Sequence, residues 1–153
     1  MARARYLGFF CGGLWALLLL PGLAVAAPAV DGVPYAKDAR GLVIADIKRG
    51  EQLFQQNCAR CHGERAEGAA DWRKRGPDGK YPPPPLNGTA HAWHHPREAL
   101  ARTIRQGTKK IGGNMPPFGD KLAEDEIQAI ITWLVSRWPD QIYKVWSKGS
   151  GRR

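Results

Sequence analysis

The stretch Cys58-Ala59-Arg60-Cys61-His62 decides the fold of this chain of 153 residues. It places two thiols three positions apart on a helical turn, with an imidazole directly after the second. Each thiol of such a pair can form a thioether with one vinyl group of a single haem, and the imidazole is then placed to bind the iron. A thioredoxin-like redox pair and half of a zinc site are the alternatives. The surrounding sequence distinguishes these three chemistries.

The residues before the motif favour the haem interpretation. No proline interrupts residues 46–62, and small or apolar residues recur there near the helical period, at Ile47, Gly50, Leu53, Phe54 and Cys61. A thioredoxin-like pair opens a helix after a strand, whereas this motif comes at the end of a predicted helix. A zinc site needs a second ligand pair, and the chain offers only the histidines at 91, 94 and 95.

Two further segments follow the helical period. One runs from about Ala123 to Arg137, carries acidic residues in its first turn, where the helix dipole favours them, and stops before Pro139. The other runs from Pro96 to Gly107, with proline in its first turn and glycine just after its end. No segment alternates as a strand does, so the sequence predicts an all-α fold.

The chain resembles the class I c-type cytochromes over roughly residues 46–139. Cys58 and Cys61 match the family's two thioether positions, and His62 matches its proximal iron ligand. The resemblance implies a cytochrome c-like orthogonal helix bundle around one covalently attached haem c.

The family resemblance extends to a close crossing of the first and last helices. Gly50 and Phe54 match the first-helix positions of this crossing, and Ile130 and Trp133 match the positions on the last helix. Because glycine lacks a Cβ atom, it lets two helix backbones approach while an aromatic ring packs alongside.

The distal iron ligand implied by the resemblance is a methionine in the loop before the last helix. Met115, followed by Pro116, lies in such a loop, and the only other methionine is the initiator Met1. A lone methionine more often fills a hydrophobic core. Here the loop position and the upstream haem motif favour iron ligation.

The run Pro82–Pro85 has two interpretations. Taken by itself, it is a stiff polyproline linker. In the family, a proline carbonyl accepts the N–H of the proximal imidazole and a nearby leucine packs on the haem, which implies Pro84 and Leu86 here. Such a hydrogen bond orients the imidazole and tunes its basicity.

The first 26 residues predict a signal peptide. They begin with Arg3 and Arg5, continue through an apolar run from Leu7 to Leu20, and end in a small-residue cleavage pattern. We therefore expect export to the periplasm, with no membrane insertion after cleavage. The alternative is a membrane anchor formed by the uncleaved leader, since the uncharged residues 6–27 could span a bilayer.

The domain organisation follows from the leader and the helices. We predict a signal peptide over 1–26, an N-terminal extension over 27–45, a cytochrome c domain over 46–139 and a basic C-terminal tail over 140–153. This length allows one modest core and excludes a large multidomain enzyme. Three cysteines are too few for a disulfide-dense secreted scaffold.

Basic residues dominate the charge of the chain. The net charge of +9 becomes +7 once Arg3 and Arg5 are removed with the leader. Basic clusters at Arg60, at 73–75 and at 109–110 could surround an exposed haem edge and steer a redox protein with an acidic docking surface. The alternative is a solvated basic surface with no specific partner. No nucleic-acid motif is present, so nucleic acid is not an expected partner.

Three of the four histidines lie close together, at His91, His94 and His95. Imidazoles at this spacing could bind copper or zinc, or donate hydrogen bonds to haem propionates. The alternative is a polar turn before a helix. As a metal site the cluster is incomplete, because it has no carboxylate or thiolate partner.

The resemblance implies outer-sphere electron transfer, because both axial positions of the iron are filled. We predict a soluble carrier or the cytochrome subunit of a larger oxidoreductase, with no catalytic residues of its own. A haem-based ligand sensor or a peroxidase-like enzyme would need an open iron, which Met115 disfavours. A thiol redox or metal-handling protein would instead keep Cys58 and Cys61 as free thiols.

Overall fold

The computed structural model describes residues 36–149, which contain five α-helices and two short 3-10 helices joined by loops. The predicted signal peptide, residues 27–35 of the predicted extension and the last four residues of the predicted tail lie outside the described residues. The α-helices are α1 (Ile44–Asn57), α2 (Ala59–His62), α3 (Arg97–Gln106), α4 (Glu124–Ser136) and α5 (Asp140–Gly149). The 3-10 helices are Ala92–His94 and Lys109–Ile111.

The all-α prediction is confirmed for the described residues. Their β pairing is limited to an isolated bridge between Lys37 and Val43. Helix α3 fills the predicted segment, with Pro96 and Gly107 flanking it as its two caps. Within residues 36–149, no helix has the length and apolar character needed to cross a membrane.

Helices α1 and α4 cross closely at Gly50. A Cβ atom on Gly50 would lie 2.5 Å from the carbonyl carbon of Ala129 and 2.9 Å from the Cβ of Trp133. One turn later the rings of Phe54 and Trp133 pack at a centroid distance of 4.4 Å. The predicted crossing is thus confirmed, although the residue that faces Gly50 most closely is Ala129 and the predicted Ile130 is buried in the core beside it.

The predicted helix over residues 46–62 is interrupted at Cys58. Helix α1 begins at Ile44 and ends at Asn57, and Cys58 leaves the helical region with φ −121° and ψ −34°. The N–H groups of Cys61 and His62 then both bond to the Cys58 carbonyl, at 3.0 and 2.9 Å. The motif therefore forms a helical turn of its own, α2.

Helix α4 is held at both ends. At its start, the backbone N–H of Ala123 donates to the Glu126 carboxylate at 3.0 Å. This bond gives an acceptor to an N–H group that has none within the helix. At its end, the guanidinium of Arg40 donates to the carbonyl oxygens of Val135 and Trp138, at 3.1 and 2.8 Å. The predicted N-terminal extension thus supplies the C-terminal cap of α4.

Residues 140–149 form helix α5, where the sequence predicted the beginning of a basic tail. The indole of Trp146 is buried, packs edge-on against Trp138 at 5.1 Å between ring centroids, and donates its N–H to the carbonyl of His95 at 2.8 Å. Apolar residues at 142, 143 and 146 give this segment the spacing of an amphipathic helix. The described part of the predicted tail is therefore packed against the rest of the fold.

Candidate functional site

The two cysteines of the motif differ in environment. Cys58 is buried and Cys61 is exposed, and neither forms a disulfide within the described chain. Burial raises the pKa of Cys58 to about 11, which keeps this thiol protonated at neutral pH. The reactive cysteine of a thioredoxin-like pair has a lowered pKa, which the burial of Cys58 opposes.

The imidazole of His62 is buried and hydrogen-bonded on one side. Its Nδ1 lies 3.0 Å from the carbonyl oxygen of Pro84. Because a carbonyl only accepts, Nδ1 carries a proton and donates it, and Nε2 of the neutral ring keeps its lone pair. Burial lowers the pKa of His62 and so favours this neutral form. An imidazole with one bonded N–H and one free lone pair is suited to bind haem iron beside two cysteines.

The loop that follows the motif holds the proline run against His62. One backbone hydrogen bond ties the loop to the motif, from Gly68 N to His62 O (2.7 Å). Two tie it to the proline segment, from Ala69 N to Pro83 O (2.9 Å) and from Leu86 N to Ala66 O (2.8 Å). Gly68 has φ +70°, and a Cβ atom there would lie 2.5 Å from the Pro84 carbonyl carbon. The sequence analysis did not identify Gly68, because an isolated glycine in a loop gives no periodic signal.

Leu86 is anchored by a tryptophan from the end of α4. The indole N–H of Trp138 donates to the Leu86 carbonyl at 2.8 Å, and Trp138 itself is fully buried. The side chain of Leu86 is partly buried against the hydrophobic core. This contact links the segment that carries Pro84 to the helix bundle.

Met115 is held against the end of α3. Its N–H donates to the Thr108 hydroxyl at 3.1 Å, and its carbonyl accepts the N–H of Thr108 at 2.9 Å. A Cβ atom on Gly107 would lie 2.5 Å from the Met115 carbonyl oxygen, so glycine is needed for this approach. The sequence analysis used Gly107 only as a helix stop and did not identify Thr108.

Three of the predicted haem residues are part of the hydrophobic core or pack against it. Cys58 belongs to the hydrophobic core cluster, and the side chains of Leu86 and Met115 pack against that cluster. These residues, separated by up to 57 positions in the sequence, thus contact the same hydrophobic core. The protonated cysteine, the oriented neutral imidazole and this apolar surround fit a covalently attached haem.

The three clustered histidines do not form a metal site. His91, His94 and His95 are exposed, and the rings of His91 and His95 are 6.2 Å apart. The His94 ring packs against Trp93 instead. Within residues 36–149, no three His, Cys, Asp or Glu side chains are grouped so that they could hold a metal ion. The copper or zinc hypothesis therefore has no geometric support, and the arrangement is that of a polar turn.

The basic clusters predicted near the haem edge lie on the surface. All six side chains are exposed, or nearly so, at Arg60, Arg73, Lys74, Arg75, Lys109 and Lys110. Lys121, which the sequence analysis did not identify, lies close enough to Cys58 for its charge to act on the pKa of that thiol and lower it. This residue adds a positive charge near the motif itself.

Residues 45–134 match the protein family described as cytochrome c oxidase, cbb3-type, subunit III. The matched segment contains the motif, the proline run and the Met115 loop. It ends within helix α4.

Several curated proteins are similar over part of their length. The cbb3-type oxidase subunit FixP of Sinorhizobium medicae is 28% identical over 96 residues, which cover 59% of this chain and 29% of FixP. A cytochrome c-550-like protein of Thermosynechococcus vestitus is 34% identical over 77 residues, 38% of this chain and 44% of the relative. The oxidase subunit CcoP of an Azospirillum strain is 27% identical over 123 residues, 74% of this chain and 37% of CcoP. The chain thus spans less than half of the length of these relatives.

Among solved structures, cytochrome cL of Methylophaga aminisulfidivorans is 27% identical to this chain. The alignment covers 72% of this chain and 68% of that protein, with a TM-score of 0.49.

Proposed function

Because this chain belongs to the cbb3-type cytochrome c oxidase subunit III family, a family of c-type cytochromes, we propose that it transfers electrons in the periplasm after export. It acts there as a soluble carrier or as the cytochrome subunit of a larger oxidoreductase. The motif occurs once in the sequence, which limits the chain to one covalent haem.

The hydrogen bond between His62 and Pro84 is the observation that carries this proposal. It leaves Nε2 of a buried, neutral imidazole as the proximal ligand, directly after the paired thioether positions Cys58 and Cys61. Met115 is the distal ligand. Haem c, when bound, supplies an iron that alternates between the ferrous and ferric states.

The protein's own residues set the conditions for this electron transfer. The Pro84 carbonyl orients the imidazole and increases its basicity as a ligand. A thioether at the distal position favours a higher reduction potential than a second imidazole would. The apolar cluster around Cys58 and Leu86 acts in the same direction, because it disfavours the extra charge of the oxidised state. With His62 and Met115 both bound to it, the iron of a bound haem would have no free position for a substrate.

We propose that the basic surface residues dock an acidic redox protein. The cations at 73–75 and 109–110 are exposed, and Lys121 adds a positive charge near Cys58. A positive field speeds diffusional encounter with an acidic surface and weakens as salt is added. The names of the relatives FixP and CcoP support the subunit alternative, and the cytochrome c-550-like relative supports the carrier alternative.

The visible absorption spectrum of the protein tests the proposal. The full chain is exported with its own leader in a host that attaches haem, and spectra are recorded in the oxidised and reduced states. We expect sharp low-spin bands in the reduced state and a sulfur-ligation feature in the oxidised state, which disappears in Met115→Ala. A colourless protein would contradict the haem assignment, and free thiols at Cys58 and Cys61 by mass analysis would identify a thiol protein instead.

Carbon monoxide tests the alternative of an open iron. The reduced wild-type protein should resist binding, whereas Met115→Ala should bind readily because its distal position is vacated. A wild-type protein that is high-spin and binds carbon monoxide readily would support a sensor or peroxidase-like enzyme.

A further inference from the structure

A surface loop reaches the Met115 loop through one side-chain hydrogen bond. The amide nitrogen Nδ2 of Asn114 donates to Oδ2 of Asp78 at 3.1 Å, across 36 residues of chain. Asn114 directly precedes Met115. The bond therefore joins the long loop after the haem motif to the residue beside the proposed distal ligand.

The turn that carries Asp78 is ordered by its own contacts. The second carboxylate oxygen of Asp78 accepts the backbone N–H of Lys80 at 3.0 Å. The N–H of Gly76 donates to the Lys80 carbonyl at 2.8 Å, which closes the turn. The hydrogen bonds from the Lys80 N–H and the Asn114 amide lower the pKa of Asp78, so its carboxylate is an acceptor at neutral pH. Asp78 thus presents a charged acceptor from a defined turn rather than from a free loop.

The residues on the two sides of Met115 differ in type. After it come Pro116 and Pro117, whose rings restrict the backbone. Before it comes Gly112, which has φ +86° and would have nothing within 4 Å of an added Cβ atom. Between Gly112 and Asn114, Gly113 donates its N–H to the Thr108 carbonyl at 2.9 Å. This segment is thus held by Thr108 at Gly113 and by Asp78 at Asn114.

Thr108 and Asp78 hold this segment from different parts of the chain. Thr108, at the end of α3, bonds the N–H and the carbonyl of Met115. Asp78 bonds the side chain of the preceding Asn114. Both Asp78 and Asn114 are exposed, so their bond restricts the loop moderately rather than determining the fold.

We propose that Asp78 is a positioning residue for the distal ligand, which acts through Asn114 to limit the opening of the Met115 loop. This inference rests on the proposed function, because it takes Met115 as the iron ligand. It also assigns a role to the turn around Asp78, in addition to the docking role proposed for the cations at 73–75 of the same loop.

The test uses the full chain, exported with its leader and carrying haem, in four variants: Asp78→Ala, Asn114→Ala, the double variant and Asp71→Ala. Asp71 lies in the same loop, is exposed and pairs with Lys74, so its variant removes the same charge without touching the Met115 loop. Two quantities are measured: amide hydrogen exchange at Met115, and the temperature at which the oxidised protein loses its sulfur-ligation feature.

We expect exchange at Met115 to be about three- to tenfold faster in Asp78→Ala and in Asn114→Ala, as for loss of one exposed hydrogen bond to a charged group. The sulfur-ligation feature should be lost at a lower temperature in the same two variants. The double variant should match the single ones, because both substitutions remove one bond. Asp71→Ala should behave as wild type.

Two results would overturn the inference while leaving the proposed function intact. One is an Asp78→Ala protein that matches Asp71→Ala in both measurements. The other is a double variant whose effects are the sum of the single effects, since Asp78 would then not act through Asn114. A wild-type spectrum without the sulfur-ligation feature would instead overturn the assignment of Met115, and this inference with it.

Discussion

Gly68 lies against the peptide group of Pro84 so closely that a Cβ atom on Gly68 would be 2.5 Å from the Pro84 carbonyl carbon and 2.8 Å from its oxygen. That oxygen accepts the N–H of His62. The backbone of one loop residue therefore limits where the acceptor for the proposed proximal ligand can lie.

Gly68→Ala should disturb both stability and the haem environment. A second glycine of the same loop, Gly79, also has a positive φ, at +74° against +70° for Gly68, but has no atom within 4 Å of an added Cβ. We expect Gly79→Ala to lower the free energy of unfolding by about 1 kcal/mol, from backbone strain alone. Gly68→Ala should cost about 3 kcal/mol, because the clash adds to the strain.

Urea denaturation and potentiometry of the two variants separate these effects. Only Gly68→Ala should shift the reduction potential, since only this variant displaces the Pro84 carbonyl from His62. Equal potentials in the two variants would show that the carbonyl position does not depend on Gly68.

Gly50→Ala should weaken the crossing of α1 and α4. The added Cβ atom would meet the backbone of Ala129, which cannot move away without a shift of the whole helix. We expect a loss of about 3 kcal/mol in the free energy of unfolding, measured by denaturant titration. Gly149→Ala, in a helix with no atom within 4 Å of the new Cβ, is the control and should be neutral or slightly stabilising. An unchanged midpoint for Gly50→Ala would refute the close crossing.

Arg40→Ala should destabilise the C-terminal end of α4. The Arg40 side chain is only 19% exposed and donates to carbonyls at the end of that helix. Loss of these charge-assisted hydrogen bonds should cost about 2 kcal/mol. Arg102→Ala serves as the control, because Arg102 is exposed on α3 and makes no side-chain hydrogen bond or ion pair within residues 36–149. Equal unfolding midpoints for the two variants would argue against the cap.

Thr108→Val should loosen the Met115 loop while keeping the shape of the side chain. The substitution leaves the part-buried N–H of Met115 without its acceptor, which should cost about 1–3 kcal/mol. We expect the sulfur-ligation feature of the oxidised protein to be lost at a lower temperature than in wild type. Thr103→Val in α3 removes only a hydroxyl bonded to its own helix, at the Ala99 carbonyl, and should leave the feature unchanged. If both valine variants behave alike, Thr108 does not hold the loop.

Lys109→Glu should slow electron transfer to a redox protein of net negative charge. At low salt we expect a rate lower by about tenfold, because the substitution reverses a charge in the docking field. The difference should shrink in 1 M salt, where screening acts over about 3 Å. Lys144→Glu makes the same change in net charge on α5. Stopped-flow rates that fall equally for both variants would point to net charge alone rather than a local docking surface.

Local patterns accounted for most of the fold. The segments that became α1, α3 and α4 were recognisable because apolar residues repeat at the helical period and prolines or glycines mark the ends. Helix α5 was missed, because the basic and glycine-rich end of the tail, residues 148–153, outweighed a short apolar stripe. The break in the helix at Cys58 was also missed, because the residues before and after Cys58 both have a composition typical of helices.

Sequence spacing predicted some parts of the site well and others poorly. The motif residues are adjacent in sequence, so their chemistry could be predicted from spacing, and the family resemblance then indicated Pro84 and Met115. The metal hypothesis for His91, His94 and His95 came from the same kind of proximity. It found no support, because closeness along the chain does not make side chains converge on one point.

The sequence by itself determined that the described chain is helical and that one haem can be attached to it, because periodicity and a five-residue motif are local properties. Only the tertiary structure decided which atoms hold the proposed ligands in place: the backbone at Gly68 beside Pro84, and Thr108 beside Met115. These contacts join loop residues with irregular backbone and no repeating pattern. They exist only after the helices have packed, so the spacing of residues in the sequence does not predict them.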